Sequence, residues 1–311
     1  YWESEVDSAS VKLAREYYEK GLFIEDKGCI GVDLEPYKLG FCMLLKTDGN
    51  GLYATKDIEL ARRKFQDYHI EKNLYVVDKR QEHHFKQVFK VLELMGFENA
   101  KKCQHLQYDF VELPDGAMSS RKGNIIPLQS LIEEMVKMIK EQYLARYVNE
   151  WSAEEIEKTA QTVAKGAIKY GMTRIDPAKK IVFDMKEWLK LDGESGPYIQ
   201  YSFARINSMV NKLGAPKSNE MKIEVQQEKD LVAALMNFHH TVQQATEQFR
   251  PSILTAYLYD LSRSFNGFYA ECPVGSSEEP TRSSRLMLSK ATAQTLKKGL
   301  ELLGIEAPER M

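Results

Sequence analysis

Apolar positions along the chain fall into two regimes. Up to about residue 127, short apolar runs alternate with helical stripes. Residues 30–34 and 41–46 are predicted to be extended, and Asp48-Gly49-Asn50-Gly51 is a hairpin or loop turn. Leu52-Tyr53-Ala54 reads as a short apolar strand end that runs into a helix over 56–68. Leu74-Tyr75-Val76-Val77 is an apolar run of the kind that forms a buried parallel strand. In the helix that follows Gln81, the apolar face is Val88, Val91, Leu92 and Met95, and Gly96 suits its C-terminal end. A strand-like stretch over 108–113 and the turn Pro114-Asp115-Gly116 close this part. Alternating strands and helices predict an α/β layer structure.

From Leu128 onward the pattern is almost purely helical. Leu131, Ile132, Met135 and Ile139 form one stripe. Ser152-Ala153-Glu154-Glu155 reads as a capping box opening a helix with Ile156, Ala160, Val163, Ala164 and Ala167 on one face. Later stripes run from Leu231 through Leu235, Phe238, Val242 and Ala245 to Phe249, then from Leu254 through Leu258, Leu261 and Phe265 to Phe268. A last helix carries Leu286, Leu296, Leu300 and Leu303 and ends at Gly304; the polar segment 275–284 before it reads as a loop. The stretch from Gly193 to Pro197 marks the best internal boundary. The predicted parts are an α/β part over 1–127, a connecting helical region over 128–195 and a helical bundle over 196–311.

Composition narrows the class. At 311 residues there is room for two domains, and 43% hydrophobic with 28% charged residues is ordinary soluble protein. A net charge of −2 excludes a whole-molecule attraction to nucleic acid, so any RNA surface is a local patch. Cys29, Cys42, Cys103 and Cys272 are scattered, with no C-x-x-C spacing and no grouping with histidines. Reduced thiols, no metal site and a cytoplasmic setting are expected. No apolar run approaches the roughly eighteen residues of a transmembrane candidate, and the first residues lack a signal-peptide layout, so no membrane partner is expected.

Ligands of open α/β sheets bind outside the carboxyl ends of strands, and three clusters fall at such ends. The first is Leu52-Tyr53-Ala54-Thr55-Lys56-Asp57, and the second runs from Val76 through Asp78 and Gln81 to His83-His84. The third is Met118-Ser119-Ser120-Arg121-Lys122-Gly123-Asn124. Its two cations, two hydroxyls and glycine suit a polyphosphate, and equally suit a solvated surface loop. On residue type alone, Asp57 and Gln81 also read as groups that stabilise helix N-termini, and Tyr53 as a strand aromatic. Adjacent histidines on a helix point about 100° apart, which makes His83-His84 a poor metal pair.

The third cluster resembles the K-M-S-K-S signature of class I aminoacyl-tRNA synthetases. Met118, Ser119, Gly123 and Asn124 match it; Ala117 and Ser120 stand where it has lysines, and Arg121 stands at its final serine. Taken with the other stretches, the chain resembles the C-terminal half of an arginyl-tRNA synthetase. The matching stretches run from Asp48-Gly49 through Leu52–Asp57, then Tyr75-Val76-Val77-Asp78 with Gln81, His84 and Phe85. Further on come Gly166-Ala167-Ile168-Lys169-Tyr170, Gly196-Pro197-Tyr198-Ile199-Gln200-Tyr201 with Arg205, Ser264-Phe265-Asn266-Gly267-Phe268-Tyr269, Leu303-Gly304-Ile305 and Pro308-Glu309-Arg310-Met311.

That resemblance implies the second half of a Rossmann-like class I catalytic domain followed by a helical anticodon-binding bundle. It implies ATP-dependent attachment of arginine to its tRNA, with Mg²⁺ accompanying the ATP. Tyr53, Asp57 and Gln81 would line the arginine side-chain pocket. Met118, Ser119, Ser120, Arg121 and Lys122 would bind ATP, the last four steadying its phosphates. Tyr198, Tyr201, Arg205, Tyr269 and Met311 would contact tRNA, whereas Phe265 and Phe268 belong to the core. The partners implied are arginine, ATP and an arginine-accepting tRNA, with a monomer expected for the full-length enzyme. No H-I-G-H-type motif occurs in these 311 residues, so the chain is expected to be inactive alone. The alternative is a non-catalytic tRNA- or RNA-binding module.

Overall fold

The computed structural model describes residues 1–114, 116–117 and 127–311, which divide into two units, Tyr1–Asp109 and Phe110–Met311. In the first unit, α1 (Glu3–Glu19) is followed by β1 (Ile24–Asp26), β2 (Cys29–Asp33) and β3 (Phe41–Leu45). These strands form an antiparallel sheet in the order β1-β2-β3. Helix α1 is additional to the elements expected from sequence, although its buried Val6, Ser10, Leu13 and Ala14 carry helical spacing. Helix α2 (Tyr53–Tyr68) buries Ala54, Ile58, Ala61 and Phe65, one stripe along its length.

Two expectations change here. The stretch Leu52-Tyr53-Ala54 does not end a strand: β3 stops at Leu45, and α2 already begins at Tyr53. Thr55 explains the early start. Its buried hydroxyl accepts from Leu52 N at 3.3 Å and donates to the Leu44 carbonyl, which ties the first turn of α2 to β3. Next, β4 (Asn73–Asp78), α3 (Glu82–Leu94) and β5 (Cys103–Tyr108) form a β-α-β unit with β4 and β5 parallel. The parallel strand was expected, but it is covered on one face only. Tyr75 packs against Phe85 and Phe89 of α3, while Val76 is 64% exposed and Leu74 is exposed beside it.

In the second unit, β6 (Val111–Leu113) pairs antiparallel with β7 (Gly116–Ala117) and parallel with β8 (Ile181–Val182). Helix α4 (Leu128–Ile139) buries Leu131, Met135, Val136 and Ile139. Helix α5 (Ala153–Thr173) begins where the capping residues stand, with Ser152 Oγ accepting from Glu155 N at 3.1 Å. The short α6 (Met185–Trp188) leads to α7 (Gly196–Leu213), which lies tightly against α5. A Cβ on Gly196 would stand 2.6 Å from the Gly166 carbonyl oxygen, so only glycine permits this approach. Gln200 Nε2 donates to the Thr162 carbonyl at 3.2 Å and to the Glu306 carbonyl at 2.8 Å, joining α5, α7 and the last residues.

The remaining helices are α8 (Gln226–Met236), α9 (Phe238–Glu247), α10 (Pro251–Glu271) and α11 (Thr281–Leu302). Phe265 and Phe268 are buried, as expected. The stripe from Leu231 to Phe249 is split at Asn237, where α8 ends, and Phe249 turns the chain with φ +52° before Pro251 starts α10. The polar loop predicted over 275–284 ends early, because Thr281 already belongs to α11. Its serines hold neighbouring backbone: Ser283 Oγ accepts from Lys217 N and Ser218 N, and Ser284 Oγ from Lys222 N. Among the described residues, no helix is long and apolar enough to cross a membrane.

Candidate functional site

In the first unit the predicted residues gather at the starts of two helices. Tyr53 and Asp57 are one turn apart on α2; Gln81 precedes α3 and His84 lies in its first turn. Asp57 Oδ2 and His84 Nε2 are 2.6 Å apart, which joins the two helix starts. An ionised carboxylate only accepts, so Nε2 is assigned as the donor of this bond. The His84 ring meets Phe85 edge-on at 5.0 Å, and Phe85 packs on Tyr75 and His105. The carboxylate is therefore held from behind by an oriented imidazole, with its other lone pairs unspent on His84. Tyr53 is 77% exposed and Gln81 is exposed, so the site is open.

Asp78 shapes the approach to Gln81. Its carboxylate accepts from Arg80 N at 2.9 Å and from the Arg80 guanidinium at 3.1 and 2.9 Å. Those bonds hold the Asp78 carboxyl below its usual range. The 3₁₀ turn over Lys79–Gln81 is thereby fixed. Among the described residues, no group of three or more histidine, cysteine, aspartate or glutamate side chains is placed to hold a metal ion. The predicted phosphate-binding residues Met118, Ser119, Ser120, Arg121 and Lys122 lie outside the described residues.

In the second unit, Tyr201, Arg205 and Met311 line one cavity of about 270 Å³ with Arg146, Tyr147, Trp151, Ala204, Ser208 and Arg310. Tyr147 and Trp151 stack at 4.4 Å with 9° between their planes. The Arg146 guanidinium lies 4.7 Å from the Tyr147 ring, and that of Arg310 lies 4.7 Å from Trp151. Arg310 is also paired with Glu155 at 3.0 Å, whereas Arg146 and Arg205 meet no carboxylate among the described residues. Arg205 instead sits 4.9 Å from the Tyr269 ring, which stacks on buried Phe265. The Met311 carbonyl accepts from Tyr147 Oη at 3.4 Å, closing the cavity with the last residues.

The structure thus brings Tyr201, Arg205 and Met311 together and sets Tyr269 beside them. Tyr198 is on the same stripe of α7 but does not line the cavity. Its ring packs on Tyr259, its hydroxyl accepts from Asn266 Nδ2 at 2.8 Å, and burial pushes the hydroxyl's pKa up. Arg146, Tyr147 and Trp151 are the functional candidates that the sequence reading missed; His84 was named there as a motif residue, without its bond to Asp57. The first three come from a stretch far from α7 in sequence, and a helical period does not show which of its aromatics face a cavity.

Two family models match the chain. The catalytic-domain model for class I tRNA synthetases (R) covers residues 3–185, and the DALR anticodon binding domain covers residues 199–311. The chain therefore joins a class I catalytic domain to a helical anticodon-binding domain. It belongs to the arginyl-tRNA synthetases. It is 56% identical to an arginine–tRNA ligase of Bdellovibrio bacteriovorus, a match covering 100% of this chain and 54% of that relative. A Clostridium botulinum arginine–tRNA ligase is 40% identical, with 96% and 53% covered. The solved Thermus thermophilus arginyl-tRNA synthetase superposes with a TM-score of 0.85 at 28% identity, covering 98% of this chain and 59% of that one. The chain spans about half the length of the curated relatives it matches.

Proposed function

We propose that this chain carries the arginine-selecting and anticodon-reading parts of an arginine–tRNA ligase. The observation that carries this reading is the cavity on α7. It combines stacked aromatics with two guanidinium groups that lack carboxylate partners among the described residues; Tyr201, Arg205, Arg310 and Met311 fall within the anticodon-binding match, and Arg146, Tyr147 and Trp151 within the catalytic-domain match. Unstacked bases are held by aromatic and guanidinium planes and by contacts to their edges. A cavity of this size suits one planar base better than a ligand needing about 300–1,000 Å³.

On the amino-acid side, Asp57 is the guanidinium partner. A guanidinium offers a planar fork of five donors, and a carboxylate matches it bidentately. Tyr53 and Gln81 complete the polar wall. A lysine side chain leaves part of such a fork site unpaired and is rejected. The arginine carboxylate attacks the α-phosphorus of ATP, forming arginyl-adenylate and releasing pyrophosphate. The tRNA terminal ribose hydroxyl then takes the arginyl group and AMP leaves. Positioning and charge stabilisation supply the catalysis. Ser119, Ser120, Arg121 and Lys122 steady the phosphates, with Mg²⁺ as the ATP counterion. The setting is cytoplasmic, in keeping with four unpaired cysteines.

The test is salt-titrated binding of this chain to an arginine-accepting tRNA and to the same tRNA with its anticodon replaced. Preference for the native anticodon at every salt concentration is expected. Equal binding that fades with salt would leave only phosphate contacts and overturn the reading.

A further inference from the structure

The segment 306–310 closes a second cavity, of about 400 Å³, against α5 and α11. Gln200 Nε2 bonds both the Thr162 carbonyl of α5 and the Glu306 carbonyl of this segment, and Lys169 Nζ donates to the Gly304 carbonyl, so the walls are held at a fixed spacing. Two threonines of α5 line the cavity, Thr159 and Thr162, each only 8% exposed. They are three positions apart and share a helix face. Neither hydroxyl makes a hydrogen bond among the described residues. The other buried helical threonines of this unit spend theirs: Thr241 donates to the Asn237 carbonyl, Thr255 to that of Ser252 and Thr292 to that of Leu288. A buried hydroxyl left unpaired is costly, so the pair on α5 is placed for a ligand. The charges around them sort into two kinds. Arg310 is taken up by Glu155 at 3.0 Å and Glu301 by Lys298 at 3.4 Å. The side chains of Lys158, Lys297, Glu306 and Glu309 have no ion pair or hydrogen bond among the described residues.

We propose that this cavity is a binding site for a free α-amino acid in its zwitterionic form. The ligand carboxylate takes Lys158, Lys297 and the Thr159 and Thr162 hydroxyls, all of them on the helices. Its ammonium takes Glu306 and Glu309 on the closing segment. A plain anion would meet the two free carboxylates, and a plain cation the two free ammonium groups; only a ligand with both charges matches both walls. The volume lies in the range of small-molecule sites. The apolar lining side chains are Ala307 and Pro308, both small, so the head group is read and the ligand's side chain is not. The site shares no residue with Tyr53, Asp57 and Gln81, and it stands apart from the proposed reading of the α7 cavity.

The test is a titration of this chain, labelled at its threonine methyl groups, followed by NMR. L-alanine is the probe, because it has no guanidinium for Asp57. The Thr159 and Thr162 signals, assigned with Thr159→Val and Thr162→Val, are expected to shift together and saturate. Acetate and methylammonium, which each carry one of the two charges, are expected to bind at least about fivefold more weakly. Lys158→Gln and Glu306→Gln, both at exposed positions, should each weaken L-alanine about twofold to fivefold. Thr162→Val should weaken it about tenfold or more while the melting temperature of the free protein holds or rises, since the hydroxyl removed has no partner there. A threonine with a structural role alone would lower that temperature and leave the affinity unchanged. The proposal is overturned if L-alanine gives no saturable shift, if acetate or inorganic phosphate binds as tightly, or if Glu306→Gln leaves the affinity unchanged. Loss of the L-alanine shift in Asp57→Asn would place the binding in the arginine pocket and overturn it as well. Failure of anticodon discrimination would strike the proposed function and leave this site standing.

Discussion

Single side chains carry the proposed selectivity and the acid stability of this molecule. Asp57 holds its orientation through His84 at 2.6 Å, and its charge is the natural match for a guanidinium. Asp57→Asn keeps the shape and removes the charge. Arginine binding, compared with lysine by calorimetry, is expected to weaken by about 2–5 kcal/mol, with the preference largely lost. Tyr53, Asp57 and Gln81 could be proposed from the sequence because they sit in short local motifs. His84 was legible as a motif residue only; its role depends on a contact across 27 positions, which spacing does not show. A second site of high consequence is the Arg285–Glu228 pair, 2.7 Å apart and buried. Burial alone would raise the Glu228 carboxyl, but the N–H groups of Glu224 and Val225 and the Arg285 guanidinium hold it below its usual range. The folded pKa is the lower one, so this stability is present above the unfolded value of about 4.3 and is lost as pH falls through the folded value. Glu228→Gln removes the charge opposite the Arg285 guanidinium, which keeps its bonds to the Pro273 carbonyl and Ser277 Oγ, and should cost about 1.5–3 kcal/mol near neutrality. Denaturant midpoints of the two proteins should converge on acidification; a gap independent of pH would refute the linkage.

At the level of elements, the close crossing of α5 and α7 sets the geometry on which the cavities depend. Gly196→Ala tests it. An exposed helical glycine gains up to about 1 kcal/mol from alanine. Here the added Cβ would meet a backbone oxygen at 2.6 Å, so a loss of about 1–3 kcal/mol is expected instead, read as a lowered melting temperature. The stretches Gly166–Tyr170 and Gly196–Tyr201 were legible as motifs, and the structure gives their physical reason. The glycines permit the crossing, Gln200 ties it to the Glu306 carbonyl, and the Tyr170 hydroxyl donates to the Thr255 carbonyl on α10 at 3.0 Å. Most helices of the second unit followed from apolar period, because each buries one stripe. The break at Asn237 did not, since the stripe continues through it. The start of α2 was misplaced for a related reason: Leu52-Tyr53-Ala54 is apolar in either conformation, and the Thr55 hydroxyl's bonds to Leu52 N and the Leu44 carbonyl decide. The one-sided burial of β4 was hidden as well, because an apolar run does not show whether both faces find partners.

For the whole molecule, the nearly neutral charge of −2 conceals two cations, Arg146 and Arg205, that meet no carboxylate among the described residues and share one cavity. Binding to tRNA should therefore depend on salt without being abolished by it. Arginine-dependent ATP–pyrophosphate exchange by these 311 residues alone is expected to be absent, since the second catalytic motif of the class is not among them. Measurable exchange would overturn that expectation and leave the anticodon reading untouched. The central claim is that the cavity bounded by Tyr201, Arg205, Trp151 and Met311 holds one anticodon base. The most direct test is a double-mutant cycle between Tyr201→Ala and replacement of that base in an arginine-accepting tRNA. The base change should cost the unsubstituted protein about 1–3 kcal/mol and cost Tyr201→Ala little, giving a coupling of comparable size. Undiminished discrimination by Tyr201→Ala would contradict the claim and move anticodon reading to another surface.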